Sequence, residues 1–437
     1  MKLVRVGTPG YEAALRTLAG RGDAEDLGVG QIVRDILAKV KAEGDNAVIG
    51  YTHKFDKVRL TPETLAFSRA DYEAAYARAD ARVVDALRYS ADRIRAFHER
   101  QVRAGYRYQA EDGVSLGQII RPLAAVGVYV PGGKAAYPST VLMNTIPAKV
   151  AGVGRVVMVT PTPGGQVNPY LLVAADIAGV DVAFRIGGAQ AVGALAFGTE
   201  RVPRVDTIVG PGNIFVATAK KQVFGHCNID MIAGPSEILV IADDSANPDF
   251  VAADLLSQAE HDELASAILV TPSERLATAV AASVARQLAQ LERTEIARKS
   301  IAAYGFAIVT EGLAQAAEVA NRVAPEHLEL AVADPEALLP AIHNAGAVFL
   351  GHYTPEAIGD YVAGPDHVLP TGGTARFSSP LNVDDFIKKM SVLSYSRAAF
   401  TRAAETCITL SDAEGLFAHS RSVKLRLSTP PEACPPG

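Results

Sequence analysis

Four stretches of the chain carry residue types that could do chemistry. In LLSQAEHD, Gln258 and His261 stand three residues apart near the end of an amphipathic run, which on a helix sets both on one face, one turn apart. A glutamine oxygen and an imidazole nitrogen so placed make half of a metal site, although glutamine is an uncommon zinc ligand. The same pair also suits an ordinary polar helix end. Glu326 and His327 follow Ala324-Pro325 and open the apolar run LELAV. An adjacent acid and imidazole can serve as two general bases, one for a hydroxyl and one for water; alternatively Glu326 only complements a helix dipole. Asp360 and His367 share a glycine-rich stretch, AIGDYVAGPDHVLPTGGTARFSS, of the kind that forms either flexible surface or ligand contacts. There Asp360 could give an oxygen ligand, and His367 could hydrogen-bond a substrate. Glu414 and His419, in AEGLFAHSRSVKLR, are five residues apart and need an intervening turn to face one site; each alone reads as surface. His53, His98, His226, His343 and His352 have no clear partner set and read as surface or core histidines. No H-E-x-x-H zinc-protease motif is present.

These residues must be positioned by the elements around them. The first hundred residues read as helices, with helix-period spacing over 27–56 broken at Gly44-Asp45. A start signal falls at Thr61-Pro62-Glu63, and an amphipathic run covers 70–103. From Pro122 to about residue 240 the texture changes. Val126–Val130, Val156–Thr160, Val182–Ile186 and Val205–Val209 are short β-branched runs, each followed by glycine or proline turns and an apolar helical stretch. Strand, turn and helix repeated four times means parallel βα units in a doubly wound sheet. The same grammar resumes at Glu237 and runs to Leu350, and VVMVTPTP and AILVTPSE hint at internal duplication. Glycine turns at the carboxyl ends of parallel strands are where such sheets bind ligands, yet neither G-x-G-x-x-G nor a phosphate-binding P-loop motif occurs. Plain turn glycines and a nucleotide site both remain open on this reading.

The chain has 437 residues, 49% hydrophobic and 21% charged, with a net charge of −6. Three cysteines exclude a disulfide framework or a cysteine zinc finger, and the acidic balance argues against a dedicated nucleic-acid binder. MKLVRVGTPG lacks the apolar run of a signal peptide, and no stretch of about 18 uncharged apolar residues could span a membrane. Composition points to a soluble, cytoplasmic protein with no nucleic-acid or membrane partner. The final PPEACPPG has the composition of a disordered tail.

Taken together, the ordered motifs GVYVPGGKAAYPSTVLMNTIPAKVAGV, GGAQAVGALAFGT, VGPGNIFVATAKK, MIAGPSEILVIAD, LLSQAEHD, APEHLEL, GPDHVLPTGGTARFSSPL and AEGLFAHS resemble the histidinol dehydrogenase family over 28–426. The resemblance implies a zinc-dependent, four-electron oxidation of L-histidinol to L-histidine through L-histidinal with two NAD, the last step of histidine biosynthesis. It implies one Zn2+ per subunit held by Gln258, His261, Asp360 and His419, with Glu326 and His327 as catalytic pair. Ser236, Glu414 and His367 would join the zinc ligands and His327 around the substrate, and Tyr129, Gln190 and Asn213 would touch NAD. The implied fold is α/β, two incomplete Rossmann-like domains with parallel sheets plus small terminal modules, in a domain-swapped homodimer with shared active sites. Its expected division is an N-terminal helical arm at 1–26, a first Rossmann-like domain from 27–128 and 236–380, a second at 129–235, and a dimer-crossing module at 381–437. Asp366 departs from the asparagine expected before His-Val-Leu-Pro, adding a carboxyl that could alter local pKa values. The alternatives are a relative oxidising another small alcohol, such as a sulfonated diol, a zinc hydrolase using Glu326, or a noncatalytic binding protein.

Overall fold

The computed structural model describes residues 1–20, 28–132 and 137–429; the expected disordered tail at 430–437 and Gly133 of the first glycine turn lie outside them. Two compact units are present. One comprises Met1–Val102 with Leu123–Phe386, the other Arg103–Pro122 with Ile387–Gly437.

The first unit holds two sheets. In the five-stranded one the order is Val182–Phe184, Arg155–Val159, Ala125–Tyr129, Thr207–Val209 and Asn228–Ile229, every pair parallel. Numbered along the chain this is 3-2-1-4-5, the order of a doubly wound sheet, and its switch point lies between Ala125–Tyr129 and Thr207–Val209. The six-stranded sheet runs Lys2–Arg5, Gly305–Val309, Ser266–Thr271, Glu237–Ala242, His327–Ala331 and Ala347–Leu350, again all parallel. Without its N-terminal edge strand it repeats 3-2-1-4-5. Arg155–Val159 and Ser266–Thr271, the strands within VVMVTPTP and AILVTPSE, both take second place, so the sequence likeness has a structural counterpart. Central strands such as EILVIA, SAILVT and GFAIV are buried along their whole length, which is why they read as unbroken apolar runs rather than alternating ones. Asparagine and serine caps start the helices between them: Asn168, Asn213, Asn247 and Ser273 each accept backbone N–H groups of the first turn.

The structure divides the chain differently from the expected boundaries. Of the expected helical arm at 1–26, the described residues 1–20 are not purely helical: Lys2–Arg5 is a strand paired with Gly305–Val309, and helix Pro9–Ala19 packs beside it through Tyr11, Ala14 and Leu18. Helices Val29–Glu43 and Asp45–Asp56 pack on the five-stranded sheet, not the six-stranded one. Their apolar faces (Val33, Ile36, Leu37, Val40, Val48) meet Tyr129, Phe184 and Leu195. Helices Arg69–Arg78 and Ala81–His98 cover the other face of that sheet, so residues 28–98 complete the domain that contains 125–229. A doubly wound sheet needs helices on both faces, and its own crossover helices are too few to cover five strands. Thr61-Pro62-Glu63 is a turn; the helix starts at Ser68, whose hydroxyl caps Asp71 while the Asp71 carboxylate caps Ser68 in return.

The second unit is discontinuous as well. It joins a three-stranded antiparallel sheet, Ile387–Tyr395, Val114–Pro122, Tyr106–Glu111, to helices Arg397–Ala413 and Phe417–Ser428. The expected module at 381–437 therefore lacks its hairpin partner, residues 103–122, whose Asp112-Gly113 turn is a short-range hairpin signal. Among the described residues no helix is long and apolar enough to cross a membrane.

Candidate active site

His327 is the first residue of strand His327–Ala331 and Glu237 the first of its neighbour, so both lie at the amino ends of adjacent strands. The His327 Nδ1 donates to the carbonyl oxygen of Glu237 at 3.0 Å, which leaves Nε2 as the nitrogen free to exchange a proton. That Nε2 is buried without a hydrogen-bond partner and lies 3.6 Å from Asp360 Oδ1. Glu326 Oε2 accepts the Glu237 N–H at 2.8 Å and stands 3.7 Å from His327 Nδ1. Burial pushes the Glu326 carboxyl up to about 8, against the pull of His327 and of the Glu237 N–H. Burial also opposes charge on His327, but Glu326, Glu356 and Asp360 outweigh it, and the imidazole holds its proton more tightly than an ordinary histidine.

Gln258 and His261 close the helix Pro248–Ala259 beneath these strand ends. With the Gln258 amide turned so that its oxygen meets His261 Nδ1 at 3.1 Å, its nitrogen donates to Glu356 Oε1 at 2.9 Å and reaches His327 Nδ1 at 3.2 Å. Asp360 comes from a wide turn of helix, Gly359–Ala363, and such insertions are frequent at functional sites. Burial works against its charge, yet His327, with His367 and His261, holds the carboxyl below its ordinary value. His261 is pushed down by burial and is therefore a neutral nitrogen donor. The cluster thus presents nitrogen and oxygen donors only, one imidazole nitrogen of which has no partner. Single ligand atoms of His327, Glu356 and Asp360 lie within 4.8 Å of one another. This donor set fits a divalent cation such as zinc.

Ser236 precedes Glu237 at the same strand end, its carbonyl taken by Ser266 N–H. His367 binds the Asp360 carbonyl through Nδ1 at 3.0 Å and meets Thr140 Oγ1 through Nε2 at 3.4 Å. Thr140 belongs to the first turn of helix Pro138–Val150, which follows switch-point strand Ala125–Tyr129. The carboxyl edge of the five-stranded sheet therefore abuts the amino edge of the six-stranded one. Tyr129, the last residue of that switch-point strand, is buried, and its hydroxyl accepts the Gly188 N–H at 3.0 Å. Gln190, two residues on in the first turn of helix Gly188–Phe197, is buried and its Oε1 has no hydrogen-bond partner. Asn213 spends its Oδ1 on the N–H groups of Phe215 and Val216, so it caps a helix at the opposite lip.

Asp366 is protonated rather than a free carboxylate, because burial raises its pKa well above the ordinary value. It is buried, its Oδ1 accepts the Val368 N–H at 2.8 Å, and its Oδ2 faces the buried His98 Nε2 at 3.9 Å. Burial lowers the pKa of His98, so the pair is an acid beside a neutral imidazole. Glu414 and His419 lie in the second unit, exposed, along an open groove of about 530 Å³ with Cys407, Leu410 and Leu416. The structure thus joins Gln258, His261, Asp360, Glu326, His327 and His367 in one cluster, and holds Glu414 and His419 elsewhere in the chain.

Three further acids were not singled out by sequence reasoning. Glu237 accepts the N–H groups of Gly372 (3.0 Å) and Glu326 (3.3 Å). Glu329, buried in mid-strand, accepts the Glu356 N–H at 2.8 Å, and Glu356 accepts the Ser257 hydroxyl at 3.0 Å. For Glu237 and Glu329 a signal was available: charged residues in otherwise apolar buried runs, EILVIA and HLELA, are rarely there without a partner.

Two sheets of doubly wound order, one carrying a buried acid–imidazole cluster at its strand ends, define an α/β protein in which that cluster is the candidate active site. A family model described as histidinol dehydrogenase matches residues 20–427. Histidinol dehydrogenase from Syntrophotalea carbinolica is 56% identical over 427 residues, covering 98% of this chain and 99% of that protein. The protein of the same name from Geobacter sulfurreducens is 54% identical over 428 residues, covering 98% and 100%. The crystal structure of histidinol dehydrogenase from Elizabethkingia anophelis superposes with a TM-score of 0.92 at 37% identity, covering 98% of each chain. The chain belongs to the histidinol dehydrogenase family and is thereby an oxidoreductase.

Proposed function

We propose that the protein oxidises L-histidinol to L-histidine through L-histidinal, using zinc and two NAD, as the last step of histidine biosynthesis in the cytoplasm. The observation that carries this reading is His327, whose Nδ1 is committed to the Glu237 carbonyl while its buried Nε2 has no partner. Gln258, His261 and Asp360 would hold the zinc, and Tyr129, Gln190 and Asn213 would line the NAD crevice. When bound, zinc would supply a redox-silent Lewis acid and a positive charge that lowers the proton affinity of its neighbours, and NAD would accept hydride. His327 takes the hydroxyl proton on Nε2 during oxidation of the alcohol to the aldehyde. Glu326 then takes a proton from the water that attacks the aldehyde carbon while the proton held by His327 passes to the carbonyl oxygen, giving a gem-diol and returning His327 to its base form. His327 acts again as base when the gem-diol is oxidised to the carboxylate. Ser236 and His367 orient the substrate from either side. The active form in this reading is a homodimer in which Glu414 contacts the substrate, and His419 the metal, of a second copy. The exposure of both side chains supports it, because buried ligands serve their own fold while exposed ones are free to serve another chain.

The test is direct: purified protein with zinc, NAD and L-histidinol, following nicotinamide reduction. Two NADH per histidinol is the expected yield. Reduction with other small alcohols only, or no reduction with any, would overturn the assignment.

A further inference from the structure

The switch point of the five-stranded sheet rests on a buried ion pair that the catalytic reading does not use. Lys220 lies on helix Ile214–Val223, and Asp230 follows the edge strand Asn228–Ile229. Their side chains are 3% and 1% exposed and in direct contact. Both grip the same residue. Lys220 Nζ donates to the carbonyl oxygen of Gly210 at 2.9 Å, and Asp230 Oδ2 accepts the Gly210 N–H at 2.8 Å. The other carboxylate oxygen accepts the Met231 N–H at 2.6 Å.

Gly210 opens the turn that leads to Asn213. Its φ of +106° is open to glycine, and a Cβ there would lie 2.2 Å from the Tyr129 carbonyl oxygen. The turn is therefore pressed against Tyr129, and the spacing between the two lips of the crevice depends on where Gly210 sits. A buried ion pair is weak support for stability, because an apolar pair of similar volume usually does as well. What charge adds here is direction: one cation for the carbonyl and one anion for the N–H lock the Gly210 peptides in one orientation. No apolar pair can do that.

We propose that Lys220 and Asp230 are positioning residues for the dinucleotide, fixing the Gly210–Asn213 turn against Tyr129 without touching the ligand. This rests on the NAD reading of the crevice.

The experiment compares three zinc-loaded proteins: the wild type, Lys220→Met, and the double variant Lys220→Met with Asp230→Leu. It measures NAD dissociation constants by titration, KM for NAD and for L-histidinol, and the melting temperature. Lys220→Met is expected to weaken NAD about 10- to 100-fold, as a misplaced turn near 1 Å would, and to leave KM for histidinol within about two-fold. It should also melt earlier, because it strands a buried carboxylate. The double variant removes that stranded charge but leaves the Gly210 and Met231 N–H groups without their acceptor, so it should regain part of the melting temperature without regaining NAD affinity. Recovery of both would make the pair structural only and overturn the inference, as would equal losses for NAD and histidinol or an unchanged NAD affinity. A wild type that binds no NAD would instead sink the NAD reading, and this inference with it.

Discussion

Glu237 and Glu326 exchange hydrogen bonds across the amino ends of neighbouring parallel strands: Glu326 Oε2 accepts the Glu237 N–H at 2.8 Å, and Glu237 Oε2 accepts the Glu326 N–H at 3.3 Å. Strand ends in a parallel sheet leave such N–H groups unpaired, and here two acids close them reciprocally. The exchange fixes Glu326 beside His327 and orders the proposed water-activating group, with the loop N–H of Gly372 held on the other Glu237 oxygen. The candidate site consequently sits at the amino edge of its own sheet, and His367 joins it to Thr140, beyond a carboxyl strand end of the other sheet.

Glu326→Gln keeps an oxygen for the Glu237 N–H and removes the base. The oxidation of L-histidinal, supplied as substrate, should fall about 10²- to 10⁴-fold. The oxidation of L-histidinol to the aldehyde, read in a single turnover, should fall far less. Equal losses in the two half-reactions would end the water-activating role.

Glu237→Leu should act on stability first. It leaves the N–H groups of Gly372 and Glu326 without their carboxylate acceptor, a loss of about 1–3 kcal/mol for each buried donor stranded. Urea unfolding measures it, and Glu237→Gln should recover most of the loss. A Leu variant as stable as the wild type would mean that water replaces the carboxylate.

How much of this was legible in the sequence depends on the range over which each signal acts. The glycine turns and β-branched runs of 122–350 announce parallel βα units because both signals are local, and the strands read there fall within a residue or two of their places. Glu326-His327, read as a helix start, instead opens the strand His327–Ala331, and the two-residue strand Asn228–Ile229 gave no signal. Residues 28–98 read correctly as mostly helical, but which sheet they cover is decided by packing partners such as Tyr129 and Leu195, more than 30 residues away. Gln258 and His261 were visible as a pair by helical spacing. The partners of His98 and Glu329 were not. His98 finds Asp366 across 268 residues, and Glu329 finds a backbone N–H on a segment that only folding brings near. Asp112-Gly113 was a local signal overlooked between two larger patterns.

Asp366 makes the stability of the protein fall as pH rises above the ordinary carboxylate range, whereas its neighbour His98, whose pKa burial lowers, contributes the opposite slope below about pH 6.5. The folded protein keeps the Asp366 proton, because burial raises that pKa, whereas the unfolded chain releases it above about pH 4. The folded state therefore binds more protons than the unfolded one over the window between the two pKa values, and stability declines as pH rises through it. Asp366→Asn carries the same Val368 contact and presents an amide N–H to His98 without titrating. The fall in melting temperature from pH 5 to pH 8 should be smaller for Asp366→Asn than for the wild type. An unchanged difference would show that Asp366 does not hold its proton in the folded protein.

Loading metal should expel protons. Glu326, Glu356 and Asp360 raise the proton affinity of His327, and a divalent cation among these groups reverses that balance. Adding zinc to metal-stripped protein in weak buffer with a pH indicator should release protons, more above neutral pH for the wild type than for His327→Asn. His261→Asn should weaken zinc binding, read by competition with a chelator. Equal release from wild type and His327→Asn would remove His327 from the coupled group.

Sharing of sites between two chains has a quantitative signature. Glu326→Gln and His419→Asn homodimers should each be nearly inactive in the overall reaction. Unfolded together and refolded as a mixture, about half of the dimers are mixed. If His419 serves the partner's metal, a mixed dimer contains one site carrying both lesions and one carrying neither. About a quarter of all sites then become intact, and activity should return to about that fraction of the wild type. If each chain instead completes its own site with its own His419, every site in every dimer keeps one lesion and no activity returns. Size-exclusion chromatography of the mixture confirms that dimers have reformed, so a null result in the activity assay counts against shared sites rather than against refolding.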